Sequence, residues 1–175
     1  MRIAVSGTHG SGKSTLIGAF SERHPEYTTL GDPYEVTGGS ADVDAFIEQF
    51  HVAARRLQLL SPGRDVVLER CPVDFLAYLD AWQTLGRPGG AATAIPELYD
   101  IAAHAMASVD LLILLPLSEA DGIRLPGDED LELRDEMDAA LLTLADDPGL
   151  VPDSVRVVEI SGSLSQRLAR LEEAV

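Results

Sequence analysis

One stretch constrains this chain more than any other: Gly7-Thr8-His9-Gly10-Ser11-Gly12-Lys13-Ser14-Thr15. Three glycines within six residues, followed by lysine and a hydroxyl residue, fit the spacing G-x-x-x-x-G-K-[ST] of a phosphate-binding loop. The flanks fit as well. Arg2 to Ser6 reads as a short buried strand, and Leu16 to Phe20 opens an apolar helical run. That order places the loop between a strand end and a helix start. Glycines let the backbone curl so that successive N–H groups converge on an anion, and the helix adds the positive end of its dipole. The whole stretch, Gly7, His9, Gly10, Ser11, Gly12, Lys13, Ser14 and Thr15, is therefore the expected nucleotide cradle. Lys13 would reach the β- and γ-phosphates, and the Ser14 hydroxyl would ligate Mg²⁺. Of the 13 basic residues Lys13 is the one lysine, kept where a compact point charge suits phosphate.

Composition narrows the partners. A net charge of −16 argues against nucleic acid, whose backbone calls for clustered Lys and Arg. Nucleotide binding by so acidic a chain has to rest on a local device. The 175 residues, 46% hydrophobic and 24% charged, suit one globular domain over 1–175. A single cysteine, Cys71, leaves no internal disulfide and suits a reducing, cytoplasmic setting. No apolar run reaches the roughly 18 residues of a membrane span, and no leader is expected, because the first apolar run enters the glycine loop directly.

Four further strands are expected. Tyr27 to Leu30 delivers Gly31-Asp32-Pro33. Asp65 to Leu68 delivers Glu69-Arg70. Asp110 to Leu115 and Val155 to Ile160 complete the set. Helices are read over Ala41–Leu60, Pro72–Leu85, Pro96–Ala107, Leu131–Ala145 and Leu164–Ala174, the first from an apolar stripe through Val43, Phe46, Phe50, Ala54 and Leu57. The alternation implies a three-layer α/β domain with a parallel sheet. In such sheets ligands sit beyond the carboxyl ends of the strands, which makes Asp32, Glu69 and Arg70 candidate catalytic residues. Asp32 serves equally as a turn residue before Pro33, and Arg70 as a partner for a neighbouring acid. Residues 118–130 turn polar, and 118–134 read as a lid-like segment carrying Arg124 and, at its end, Arg134. The four dispersed histidines lack ligand spacing for zinc. Phe75, Tyr78, Trp82 and Tyr99 fall at helical spacing and read as packing residues, one of them placed to stack on a ring.

On these residues the chain resembles P-loop kinases of the nucleoside and nucleotide kinase superfamily. It is similar to deoxynucleoside kinases and to small kinases, such as nicotinamide riboside kinases, that are often labelled only as AAA-type ATPases. The resemblance implies a five-stranded parallel sheet in the order 2-3-1-4-5, ATP and Mg²⁺ as cofactors, and a small-molecule acceptor. Asp32-Pro33 occupies the place of the family's Glu-Pro, whose acid is the base for the acceptor hydroxyl. Glu69-Arg70-Cys71 stands where the family has Glu-Arg-Ser, and Glu69 is the second metal candidate beside Ser14. Gln49 and Arg56 keep the seven-residue spacing of the family's base-reading pair. Asp74 lies five residues after Glu69, where the family's base-contacting acid lies six. The usual Arg-x-Arg lid is absent, and Arg124 and Arg134 are its looser stand-ins.

The reading is an ATP-dependent kinase that phosphorylates a hydroxyl of a nucleoside or similar metabolite. One alternative is a nucleoside monophosphate kinase, using Arg55, Arg56 and Arg70 for the acceptor phosphate. Another is a regulatory P-loop ATPase. The sequence leaves homodimerisation open.

Overall fold

Strand β1 (Arg2–Ser6) runs through the middle of the molecule, with Ile3, Ala4 and Val5 fully buried. The computed structural model describes residues 1–38, 41–61, 63–118 and 130–175. Around β1 the sheet is parallel throughout, in the order β2-β3-β1-β4-β5, with β2 at Thr28–Leu30, β3 at Val66–Glu69, β4 at Leu111–Leu114 and β5 at Arg156–Glu159. Continuous apolar strands such as Leu111–Leu114 need cover on both faces. Helices α1 (Lys13–Arg23) and α7 (Leu164–Ala174) cover one face through Leu16, Phe20, Leu168 and Leu171. The other is covered by α3 (Val43–Leu59), α4 (Pro72–Thr84), α5 (Ala91–Met106) and α6 (Leu131–Ala145), through Phe46, Phe50, Phe75, Met106 and Met137. No helix among the described residues is long and apolar enough to cross a membrane.

Register places the site. Val5 pairs with Glu69, and Leu30 pairs with Leu68. The chain after each of these strands therefore emerges at one edge of the sheet, bringing Gly7, Asp32 and Arg70 together.

Two elements depart from the sequence reading. The helix expected from Pro96 begins five residues earlier, at Ala91, with Pro96 inside it. Left-handed Gly90 (φ 75°) starts the helix, and Pro96 removes only the bond to the Ala92 carbonyl, close to an end whose first amides have no helical acceptor anyway. Downstream of β2, a single turn α2 (Tyr34–Thr37) forms where no helix was expected. Asp32 starts it by accepting the Tyr34 N–H at 3.0 Å, the local bond that lets aspartate open turns. Of the expected lid, residues 119–129, Arg124 among them, lie outside the described residues, and 131–134 form the first turn of α6.

Candidate active site

The glycine loop joins β1 to α1. Gly12, in left-handed conformation (φ 86°), caps α1. A Cβ on Gly7 would stand 2.7 Å from Ser11 Oγ and 3.0 Å from the Leu115 carbonyl, so no side chain fits there. Lys13 opens α1, is only 4% exposed and donates from Nζ to the Thr8 carbonyl across the loop at 2.9 Å. Burial, and then the charge of Arg70, lower its pKa to about 7. A buried ammonium so destabilised is a receptor for negative charge. Ser11 Oγ is buried without a hydrogen-bond partner among the described residues. The first turn of α1 carries no acid. The loop thus fits a polyphosphate.

Helix α4 holds this loop from below. Its third residue, Asp74, is fully buried and accepts hydrogen bonds from Ser6 Oγ (2.6 Å), the Gly7 N–H (3.1 Å) and the Cys71 N–H (2.9 Å). The sequence reading placed Asp74 against substrate, but it is not among the residues lining the cavity described below. Starting the helix at Pro72 turns its third residue back over its own N-terminus, as in a capping box, and from there its carboxylate braces the loop. Arg70, just before α4, is the one non-glycine with positive φ (66°) among the described residues, a conformation an L-residue holds only where its surroundings enforce it. Its guanidinium donates to Asp32 Oδ2 (2.7 Å), the Gly7 carbonyl (3.1 Å) and the Tyr78 hydroxyl (3.3 Å), and lies over the Tyr78 ring.

Above these groups opens a cavity of about 560 Å³, within the range of small-molecule sites. The loop contributes His9 and Ser14. The turn after β2 contributes Asp32, Tyr34 and Glu35, followed by Ala41. Phe46 and Gln49 come from α3, Glu69, Arg70 and Tyr78 from the β3–α4 junction, and Asp130 and Leu133 from the start of α6. Ser14 Oγ donates to Glu69 Oε1 at 2.8 Å. The two carboxylates are pushed in opposite directions. For Asp32, burial works upward, but the Arg70 charge and the Tyr34 and Arg70 hydrogen bonds outweigh it, and its pKa falls below the usual aspartate value. For Glu69, burial prevails over Lys13 and the Ser14 bond, and its pKa rises. Divergent neighbouring carboxylates mark division of labour between orienting and proton-handling groups.

Among the described residues no three His, Cys, Asp or Glu side chains converge as a metal cage. The pair Ser14–Glu69 fits Mg²⁺, which takes one or two protein oxygens and completes its shell with water and phosphate oxygens.

The structure separates Gln49 from Arg56. Gln49 is 6% exposed and lines the cavity. Arg56 does not line it; its Nη1 donates to the Gly31 carbonyl at 2.5 Å, tying α3 to the end of β2. Thr15 lies exposed on the first turn of α1. Arg134 donates from Nε to the His9 carbonyl at 3.2 Å, while the acids four residues to either side are engaged elsewhere: Asp130 pairs with Arg87 and Asp138 accepts the Leu117 N–H. Sequence reasoning missed Arg167, 3% exposed, whose Nη1 donates to the Ser11 carbonyl at 2.6 Å. Its signal was available, since it shares the apolar face of α7 with Leu164, Leu168 and Leu171. It read Tyr78 as a packing residue and missed its hydroxyl, which accepts the His9 N–H and meets His9 Nδ1, both at 3.0 Å.

No family model matches the chain, and no curated protein sequence does. Solved structures do match. Deoxyadenosine kinase from M. mycoides with bound dCTP superposes with a TM-score of 0.74 at 14% identity, over 99% of this chain and 98% of that one. The same enzyme with bound dATP gives 0.70 at 15% identity, over 99% and 98%. Thymidylate kinase from Candida albicans gives 0.66 at 19% identity, over 99% of this chain and 89% of that one. At such identities the likeness is one of architecture, carried by the whole chain and by the 2-3-1-4-5 sheet. The chain has the fold of the P-loop nucleoside and nucleotide kinases.

Proposed function

We propose that the protein is an ATP-dependent kinase that transfers the γ-phosphoryl group to a hydroxyl of a nucleoside or similar small metabolite. The observation that carries this is the cavity: it adjoins the glycine loop at Ser14 and presents the carboxylates of Asp32 and Glu69 to whatever fills it.

Phosphoryl transfer asks a protein for alignment and charge cancellation more than for covalent help. The loop amides and Lys13 would hold the phosphates of ATP, and Ser14 with Glu69 would hold Mg²⁺, which when bound neutralises charge on the phosphate oxygens. Asp32, fixed by Arg70 and the Tyr34 N–H, orients the acceptor hydroxyl. The hydroxyl oxygen bonds to the γ-phosphorus, the bond to the β-phosphate bridging oxygen breaks, and the hydroxyl proton passes to Asp32. Even a carboxylate of low pKa suffices, because the proton moves late in a loose transition state.

A nucleoside monophosphate as acceptor is less well served. Of the arginines assigned to its phosphate, Arg56 is bonded to the Gly31 carbonyl and Arg70 to Asp32. Arg55 lines a separate groove with His51, Leu59 and Ile101. The test is ADP release from Mg-ATP across nucleosides, sugars and cyclitols. At least one acceptor should raise the rate well above the background hydrolysis. Equal rates with every acceptor and with none would sink the proposal.

A further inference from the structure

Gln49 and Glu35 stand in the cavity without a task in the transfer chemistry. The Gln49 carboxamide, more than nine-tenths buried, lines the cavity and makes no hydrogen bond among the described residues. A buried amide left open in this way calls for a ligand that offers it a hydrogen-bonding edge. Glu35 has no cationic partner among the described residues, and its Oε2 lies close over Gly31, where a Cβ would come within 2.5 Å. The other carboxylates facing the cavity are engaged: Asp32 by Arg70, Glu69 by Ser14 and Asp130 by Arg87. Arg70 is the one arginine or lysine among the cavity's described lining residues.

We infer that Glu35 is a specificity-determining residue that reserves the cavity for neutral or cationic alcohols and bars acceptors whose reacting group is a phosphate. This rests on the kinase reading above. Glu35 follows Asp32 by three residues, and its N–H donates to the Asp32 carbonyl at 3.0 Å, so the two acids stand over one turn of chain. A hydroxyl held at Asp32 meets no repulsion there. A phosphate monoester held at the same point would bring up to two negative charges beside Asp32 and Glu35, while the nearest guanidinium is already bound to Asp32 at 2.7 Å. In a cleft partly shielded from water, such like-charge contacts set specificity by exclusion.

The experiment compares nucleosides with their own 5′-monophosphates as acceptors, by Mg-ATP-dependent ADP release, in the full chain and in Glu35→Gln and Glu35→Arg. Glu35 is exposed, so both variants should keep the fold, which thermal melts followed by circular dichroism check. The wild-type kcat/KM should favour the best nucleoside over its monophosphate by about 100-fold or more. Glu35→Arg should narrow that ratio by about 10-fold or more, through a lower KM for the monophosphate, and Glu35→Gln should narrow it less. Comparable use of monophosphates by the wild type, or an unchanged ratio in Glu35→Arg, would overturn the role of Glu35 while leaving the kinase reading intact. Absence of acceptor-dependent turnover with every nucleoside, monophosphate, sugar and cyclitol would overturn both.

Discussion

Lys13 carries a charge that the nucleotide-free protein destabilises. Burial and Arg70 hold its pKa near 7, so at neutral pH a large share of the molecules have it neutral. Phosphate oxygens around Nζ favour the ammonium and raise that pKa, so binding takes up a proton in the window between the free and bound values. Mg-ATP affinity should therefore be highest below pH 7 and fall as the pH rises through that window. Calorimetry in two buffers of different ionisation enthalpy measures the uptake, and a result of no proton exchange near pH 7 to 8 would contradict this assignment. Asp32 makes the second residue-scale prediction. Asp32→Asn should lower kcat by about 100-fold or more, the range for loss of a positioned acid–base group. The Kd for Mg-ATP measured without acceptor should change little, because Asp32 bonds the Tyr34 N–H and Arg70 and makes no hydrogen bond to the loop itself. A matching loss of ATP affinity would place Asp32 with the donor. Much of this was readable in advance: loop spacing, strand ends and the Glu69-Arg70 pair all point to one sheet edge. The opposite pKa shifts of Asp32 and Glu69 were not, because they depend on which carboxylate Arg70 reaches, and Arg70 reaches it from a left-handed backbone that no local pattern announces.

Among the elements, α4 ties the glycine loop to the cavity. Its N-terminal Asp74 gathers three hydrogen bonds from Ser6, Gly7 and Cys71. Asp74→Ala would leave buried donors unpaired and remove a carboxylate 3.6 Å from Arg70. We expect a loss of about 3 kcal/mol or more in urea unfolding; a loss under 1 kcal/mol would show that the loop is held by other means. One turn later, Tyr78 touches both sites, with Phe46 stacked on its ring at 4.8 Å and its hydroxyl on His9 and Arg70. Tyr78→Phe keeps the ring and removes the hydroxyl. Its kcat/KM for ATP should fall by about 10-fold with little change in melting temperature. An unaltered kcat/KM would mean that the hydroxyl only fills space. Apolar spacing in α4 marked Phe75 and Tyr78 as packing residues, and packing they are, yet periodicity records only which face a side chain lies on and says nothing of where a hydroxyl ends. The same limit applies to Asp74, whose role follows from the exact turn at which the helix begins, and to α2, which owes its start to one Asp32 hydrogen bond.

Across the whole molecule, an acidic chain gathers several of its few cations at one loop. Lys13, Arg70, Arg134 and Arg167 all touch the glycine loop, through Thr8, Gly7, His9 and Ser11 respectively, in a protein of net charge −16. The parallel sheet makes this possible, because its order and register bring β1, β2 and β3 to the same edge. The fold was legible because continuous apolar strands alternating with amphipathic helices admit few arrangements. Arg134 and Arg167 converge on the loop from more than a hundred residues away, and only tertiary packing brings them there. The central claim is that phosphate passes from a nucleotide in that loop to an alcohol in the adjoining cavity. It is tested most directly by a single turnover with γ-labelled Mg-ATP, enzyme in excess, and the best acceptor from the panel, with products separated and identified by mass spectrometry. The account predicts label bound covalently to the acceptor oxygen, with ADP formed in equal amount. Label released as inorganic phosphate, at the same rate with and without acceptor, would contradict it.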